Sequence, residues 1–305
     1  MQAILEALLP IFLLVLLGSG FRRFQFPAEG FWVAADRLTY YVFLPALLTE
    51  KLSTTVFTWQ DFYNLTGVMC VAVLAIALLV LLLHAWRRFD PPTLTSIFQG
   101  SIRPNSYVAL AAGTALFGPK GLALTAIIMA GVVPLVNVLS VAAFAFFVPN
   151  GQRRGPSFFR SVASNPLVLA CALGIMLNVT GVGLPFVAGS VLEILSAPAL
   201  PMGLISVGYG LMLRGTRGRI GFAIVAIVMK LLVLPAIAYI LLIALGVVGQ
   251  PLQVAIIFAS VPCAVSSYIL AGHLGGDQQT MAAIITIETL AAFVTMPLIL
   301  NALSW

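Results

Sequence analysis

The sequence predicts an all-α integral membrane protein of ten transmembrane helices in two inverted five-helix repeats, the fourth and ninth helices broken near their middle. Three observations carry this. Of 305 residues, 61% are hydrophobic and only 8% charged, too few polar groups to cover a water-exposed surface but suited to one facing lipid. Apolar runs of the ~20 residues needed to cross a hydrocarbon core recur along the whole chain. Between them, arginines gather in every second connection, the pattern of topology signals. The net charge of +6 therefore points to no nucleic-acid partner.

The first apolar run, Ile4 to Leu17, has no basic stretch before it and is followed by Arg22 and Arg23. It reads as a retained helix with its N-terminus outside, not as a signal peptide. Spans are expected near 3–21, 31–52, 61–84, 94–117, 120–147, 161–179, 187–213, 220–246, 250–273 and 278–303. The odd-numbered connections hold Arg22 and Arg23, then Arg87 and Arg88, then Arg153, Arg154 and Arg160, then Arg214, Arg217 and Arg219; the even-numbered ones hold only Lys51 and Lys120. Because Lys and Arg accumulate in cytoplasmic loops, both termini are expected outside the inner (plasma) membrane, with the Gly151 to Phe159 linker inside.

Five spans on each side of that linker run in opposite orientations, so 1–149 and 161–305 are expected to be inverted repeats joined by 150–160. Short matches fall in corresponding spans. Leu44-Pro45-Ala46-Leu47 answers Ala197-Pro198-Ala199-Leu200, and Ala126-Ile127-Ile128 answers Ala283-Ile284-Ile285.

Spans four and nine carry the candidate site. Each has a central proline among small polar residues, with a tyrosine downstream: Arg103-Pro104-Asn105-Ser106-Tyr107 and Pro262-Cys263-Ala264-Val265-Ser266-Ser267-Tyr268. A proline removes a backbone donor and displaces the carbonyl four residues back, so each span has a reason to break there. Unwound backbone at such depth is tolerated only where it lines a cavity or is buried in protein. The half-helix ends offer amides to an anion and carbonyls to a cation; the competing reading of each proline is a simple kink. Asn105, Ser106, Asn137, Ser266, Ser267 and Tyr268 are candidates to bind substrate oxygens, although Ser and Asn also glue helices together, the reading that weighs most on Asn137.

Arg103 is the most informative charge, because arginine at the bilayer centre costs ~2.5–3.5 kcal/mol on insertion scales. It suits a substrate carboxylate in a forked geometry and equally an internal partner such as Glu288. Glu288, flanked by Thr286 and Thr289, is the candidate for ion coupling, against a structural ion pair. Lys230 and Glu193 are weaker intramembrane candidates. His84 and His273 read as interfacial, and the Gly203 to Gly210 stretch as close helix packing rather than a phosphate loop.

Cys70, Cys171 and Cys263 have no metal-ligand spacing. Nucleotide-binding, zincin and nucleophile-elbow motifs are missing. The chain is thus expected not to be an enzyme and to need no cofactor or metal, a proton or sodium ion being the expected coupling ion. A secondary active carrier of a small organic anion leads over a sodium/proton antiporter or ion-coupled symporter of the same architecture and over a membrane sensor. Expected partners are a small carboxylate and the lipid bilayer, with a homodimer left open.

Leu9-Pro10-Ile11-Phe12 with Gly18 and Gly20, then Tyr41-Val42-Phe43-Leu44-Pro45-Ala46-Leu47-Leu48, then Pro262-x-Ala264-x-x-x-Tyr268-x-Leu270-Ala271 closed by Gly275-Gly276-Asp277, resemble the auxin efflux carrier family in its compact bacterial form. The resemblance spans the chain and keeps the motif order. It implies that helices four and nine cross at their breaks, Pro104-Asn105 and Pro262-Cys263, and that an elevator-type transport domain moves against a scaffold of helices one, two, six and seven. It also implies a small organic anion such as malate or malonate as substrate.

Overall fold

Every regular element among the described residues is helical, as expected where no water is at hand to satisfy backbone groups and each segment must bond to itself. The computed structural model describes residues 2–28, 30–55, 58–148, 164–184, 186–212 and 217–302. The expected cytoplasmic linker, with Arg153, Arg154 and Arg160, and also Arg214 lie outside the described residues. Among the described residues, six helical stretches are long and apolar enough to cross a membrane by length and composition: 4–23, 59–87, 106–147, 187–210, 220–244 and 278–302. Two shorter apolar helices span Pro166–Val179 and Gln250–Ser260.

In chain order, α1 is Gln2–Arg23. Helices α2 (Phe31–Leu38) and α3 (Leu44–Thr54) are joined by a π turn at Thr39–Phe43. Next come α4 (Trp59–Arg87), α5 (Pro91–Ile102), α6 (Ser106–Phe147) and α7 (Pro166–Val179). Helix α8 (Phe186–Ser196) meets α9 (Ala199–Gly210) at Pro198. A second π turn, Val228–Val233, joins α10 (Ile220–Ile227) to α11 (Leu234–Ala244). Helices α12 (Gln250–Ser260), α13 (Ser266–Leu274) and α14 (Gln278–Ala302) complete the chain. Both π turns stand just before a Leu-Pro pair, Pro45 and Pro235, whose rings cannot donate to the preceding turn.

Helix α6 has 42 residues and, if straight, would run ~63 Å, about twice the hydrocarbon thickness. It is not straight. Gly118 takes φ 62°, ψ −151°, and Pro119 follows it, so the helix folds on itself there. The Gly113 carbonyl lies where a side chain on Gly121 would stand, although residues eight apart on a straight helix are ~12 Å apart. One uninterrupted stretch thus holds two arms, which occupy the expected spans ending near 117 and beginning near 120.

Two other packing features position the site. Helices α1 and α9 approach backbone to backbone: Gly18 faces the Ile205 carbonyl and Gly208 the Val15 carbonyl, neither with room for a Cβ, which is how small residues let membrane helices dock. Arg22 then donates from Nη1 to the carbonyls of Tyr209 and Leu211, both at 3.0 Å, satisfying acceptors at the α9 C-terminus. At one end of the molecule Asp277, between α13 and α14, collects three connections. Its carboxylate accepts from Thr93 at 3.2 Å and pairs with Arg219 at 3.2 Å, and its N–H donates to the Pro92 carbonyl at 3.2 Å.

Candidate functional site

The site is built where two helices stop. Helix α5 ends at Ile102 because Pro104 cannot supply the next donor; Arg103 and Asn105 are extended, and α6 restarts at Ser106 with Asn105 as its cap, Oδ1 accepting from the Val108 N–H at 3.3 Å. Helix α12 ends at Ser260 ahead of Pro262, and α13 restarts at Ser266. The two breaks lie against each other as an antiparallel bridge between Pro104 and Cys263. The Asn105 N–H donates to the Pro262 carbonyl at 2.8 Å, and the Ala264 N–H to the Arg103 carbonyl at 3.3 Å. Each interruption satisfies backbone groups that the other leaves orphaned.

This pairing alters one expectation. The amides at the breaks were expected to serve an anionic ligand, but those of Asn105 and Ala264 are engaged in the bridge, and the Cys263 N–H donates to Glu288 Oε2 at 2.8 Å. The Arg103 guanidinium gives Nη2 to Ser266 Oγ at 3.3 Å, while its Nε and Nη1 have no protein partner, although the residue is only 9% exposed. The alternative of an Arg103–Glu288 pair does not occur, because each group is held by a different part of the second break.

Arg103 lines a cleft of ≈ 410 Å³ together with Asn137, Ser266, Tyr40, Asn165 and His273, among others. That volume lies in the ~300–1,000 Å³ range of small-ligand sites. Of the residues singled out from sequence, Arg103, Asn137 and Ser266 face this cleft. Pro104, Asn105, Pro262, Cys263 and Ser267 are buried in the crossing itself, with Ser106 and Tyr268 half-buried beside it. Cys263 Sγ sits 3.4 Å from Ser267 Oγ, and Asn105 Nδ2 is buried without a partner.

Sequence reasoning missed Tyr40, Tyr41 and Asn165, and read His273 only as interfacial. An Asn-Pro pair was the available signal for Asn165, which caps α7 by accepting from the Leu167 and Val168 N–H groups and meets the Tyr40 hydroxyl at 3.5 Å. Asp36 was missed as well; it accepts from Ser206 at 2.8 Å and Tyr107 at 3.4 Å, joining α2 and α9 to the first break. Glu193 is exposed. Lys230, given little weight in the sequence, lies in the second π turn at 1% exposure, with Glu288 at 0%; their charges act on each other, and among the described residues they form no direct ion pair.

Comparison with known proteins points to membrane transport. A family model described as "Membrane transport protein" matches residues 151–300, a range that includes the second break and Glu288. An uncharacterized transporter of Methanocaldococcus jannaschii is 23% identical over 292 residues, covering 93% of this chain and 94% of its own. An uncharacterized transporter of Methanothermobacter thermautotrophicus is 24% identical over 296 residues, 96% of each chain. With a transport-family model on its second half, full-length likeness to transporters and a helical architecture of apolar stretches, the chain is similar to membrane transport proteins.

Proposed function

We propose that this transporter is an alternating-access carrier of a small carboxylate, which binds in the Arg103 cleft. One observation supports this above the rest: a buried guanidinium with two nitrogens unspent on protein faces a cleft of ligand size. An isolated buried cation is costly, and a planar fork of N–H donors matches a carboxylate. Ser266 steadies the guanidinium, while Asn137 and Asn165 are placed to bind further oxygens.

The finer architecture belongs to the same proposal. We read ten spans in two inverted repeats, 1–149 and 161–305, each with one broken helix, so that α5 with the first arm of α6 mirrors α12 with α13. The bridge between the breaks is in keeping with such a pseudo-symmetric centre. The gathering of 92–93, 219 and 277 at one end favours putting odd-numbered connections on one side, with both termini outside an inner membrane. Elevator motion would carry the two breaks as one body. No metal or organic cofactor enters the scheme.

The test is counterflow in proteoliposomes holding the purified protein, with labelled malonate exchanged against a panel of mono- and dicarboxylates. Exchange of at least one carboxylate that is abolished by Arg103→Ala, with the variant still folded, is the expected result. A wild-type protein that binds carboxylates by thermal shift yet moves none would instead make the chain a binding protein. Sodium-driven proton flux without carboxylate exchange would favour an antiporter.

A further inference from the structure

We propose that Glu288 and Lys230 form a proton-exchange site, joined through the second helix break to the Arg103 cleft, which makes transport a symport of proton and carboxylate. This rests on the carrier reading above and adds the coupling ion and the residues that hold it. Both side chains are almost fully buried, Glu288 at 0% and Lys230 at 1% exposure. A purely structural pair in so dry a place would close to direct contact to recover the cost of burial. Here they act on each other without touching. Glu288 spends Oε2 on the Cys263 N–H at 2.8 Å and leaves Oε1 buried with no partner, a free lone pair where a proton can bind. Lys230 sits in a π turn, a local widening that recurs at functional sites.

The surroundings leave few other candidates. Toward Glu288, the second break presents the Cys263 thiol and the π turn presents Lys230. Helix α5 carries no titratable side chain; its Gln99 amide is buried with neither atom bonded. Helices α10 and α12 carry no titratable side chain, and α13 carries the half-buried Tyr268 and His273, exposed at the cleft. On α1, Glu6 and Arg23 are exposed and Arg22 is committed to carbonyls of α9; Arg219 is committed to Asp277.

A short chain of bonds links this site to the cleft. Glu288 holds the Cys263 amide, the next residue's N–H holds the Arg103 carbonyl, and Ser266, two residues on, holds the Arg103 guanidinium. Binding a proton forms an O–H bond on Glu288 and leaves the Lys230 charge uncompensated, so the site as a whole gains one positive charge next to the anion-binding arginine. Proton and carboxylate then favour each other's binding, and by linkage the effect is mutual. The proton leaves as the same O–H bond breaks on the opposite side. The coupling sign is symport, with the acidic side driving entry.

Proteoliposomes with clamped membrane potential and labelled malonate test this. A gradient of about one pH unit, acid outside, sustains about tenfold malonate accumulation per coupled proton in the wild type. In Glu288→Gln, accumulation should fall to the no-gradient level while malonate counterflow persists. Accumulation that survives in Glu288→Gln overturns the proposal, as does loss of both activities in a folded variant, which would make Glu288 part of the cleft's framework. A second readout needs no substrate: the infrared carboxylic C=O band missing in Glu288→Gln should titrate with pH in wild type and move in Lys230→Met. A Glu288 that stays ionised throughout overturns the proton site, even where malonate proves not to be carried and only the carrier reading has failed.

Discussion

Replacing Arg103 by lysine keeps the charge and removes the fork. In the structure one guanidinium nitrogen is bonded to Ser266, and Nε and Nη1 are buried with no partner, so two donors remain for a ligand. A lysine ammonium can place one donor where arginine places two and tends to bind as a point charge. The loss is one charge-assisted hydrogen bond, ~1.5–3 kcal/mol, or roughly 10- to 150-fold in carboxylate affinity. The assay is ligand-dependent thermal stabilisation of the purified protein over a carboxylate titration, beside the counterflow rate. Arg103→Lys should melt near the wild-type temperature without ligand and need about that factor more ligand for the same shift. Equal affinity in Arg103→Lys and wild type would refute the forked geometry, and equal affinity in Arg103→Ala would remove Arg103 from the site altogether.

Three further outcomes follow from particular contacts. Gly208→Ala places a Cβ on the Val15 carbonyl and should destabilise the protein by about 1–3 kcal/mol through forced separation of α1 and α9, read as a lower melting temperature in detergent. Asn105→Ala should lose the cap of α6, about 1 kcal/mol; Asn105→Asp keeps the capping oxygen and restores the melting temperature, and transport that stays low in it would assign the unpartnered Nδ2 to the ligand. At Asp277, burial alone would raise the carboxyl's affinity for protons, but the Thr280 hydroxyl and N–H, Arg219 and Thr93 outweigh it and hold its pKa below the usual value. Its folded value is therefore the lower one, so its contribution is full above the ordinary carboxylate range near ~3.9 and is lost as pH falls through the folded value. Asp277→Asn should flatten that acid limb in a pH series of melting temperatures.

Much of the helical layout was readable because hydropathy and proline act locally. The apolar runs at 59–87 and 278–302 needed nothing beyond the length of a bilayer crossing, and Pro104 and Pro262 break their helices by a defect each carries in itself. What escaped was whatever depends on the partner strand of chain. Both π turns lie one step before a Leu-Pro pair, so their cause was visible, but proline more often gives a plain kink and only packing decides between the two. The reversal at Gly118, by contrast, was marked locally by Gly118-Pro119 and Lys120, between the expected spans ending near 117 and beginning near 120.

The site shows the same division more sharply, and the reason is electrostatic. Arg103 and Glu288 stood out because a charge inside an apolar run is costly wherever it points. Lys230 met that criterion equally but was a weaker candidate from sequence; at 1% exposure it is buried with Glu288. The Cys263 amide was expected to await an anion from solution, and the anion that occupies it is Glu288, 25 residues further along the chain. A half-helix end attracts a carboxylate by its dipole and orphaned donors, without distinguishing a ligand's from the protein's own. With Glu288 on the Cys263 amide, the proposed substrate falls to groups not yet committed, and among the described residues the buried guanidinium of Arg103 is one. The same step ties the two functions together, because the carboxylate that fills the break is also the one with an oxygen left free for a proton.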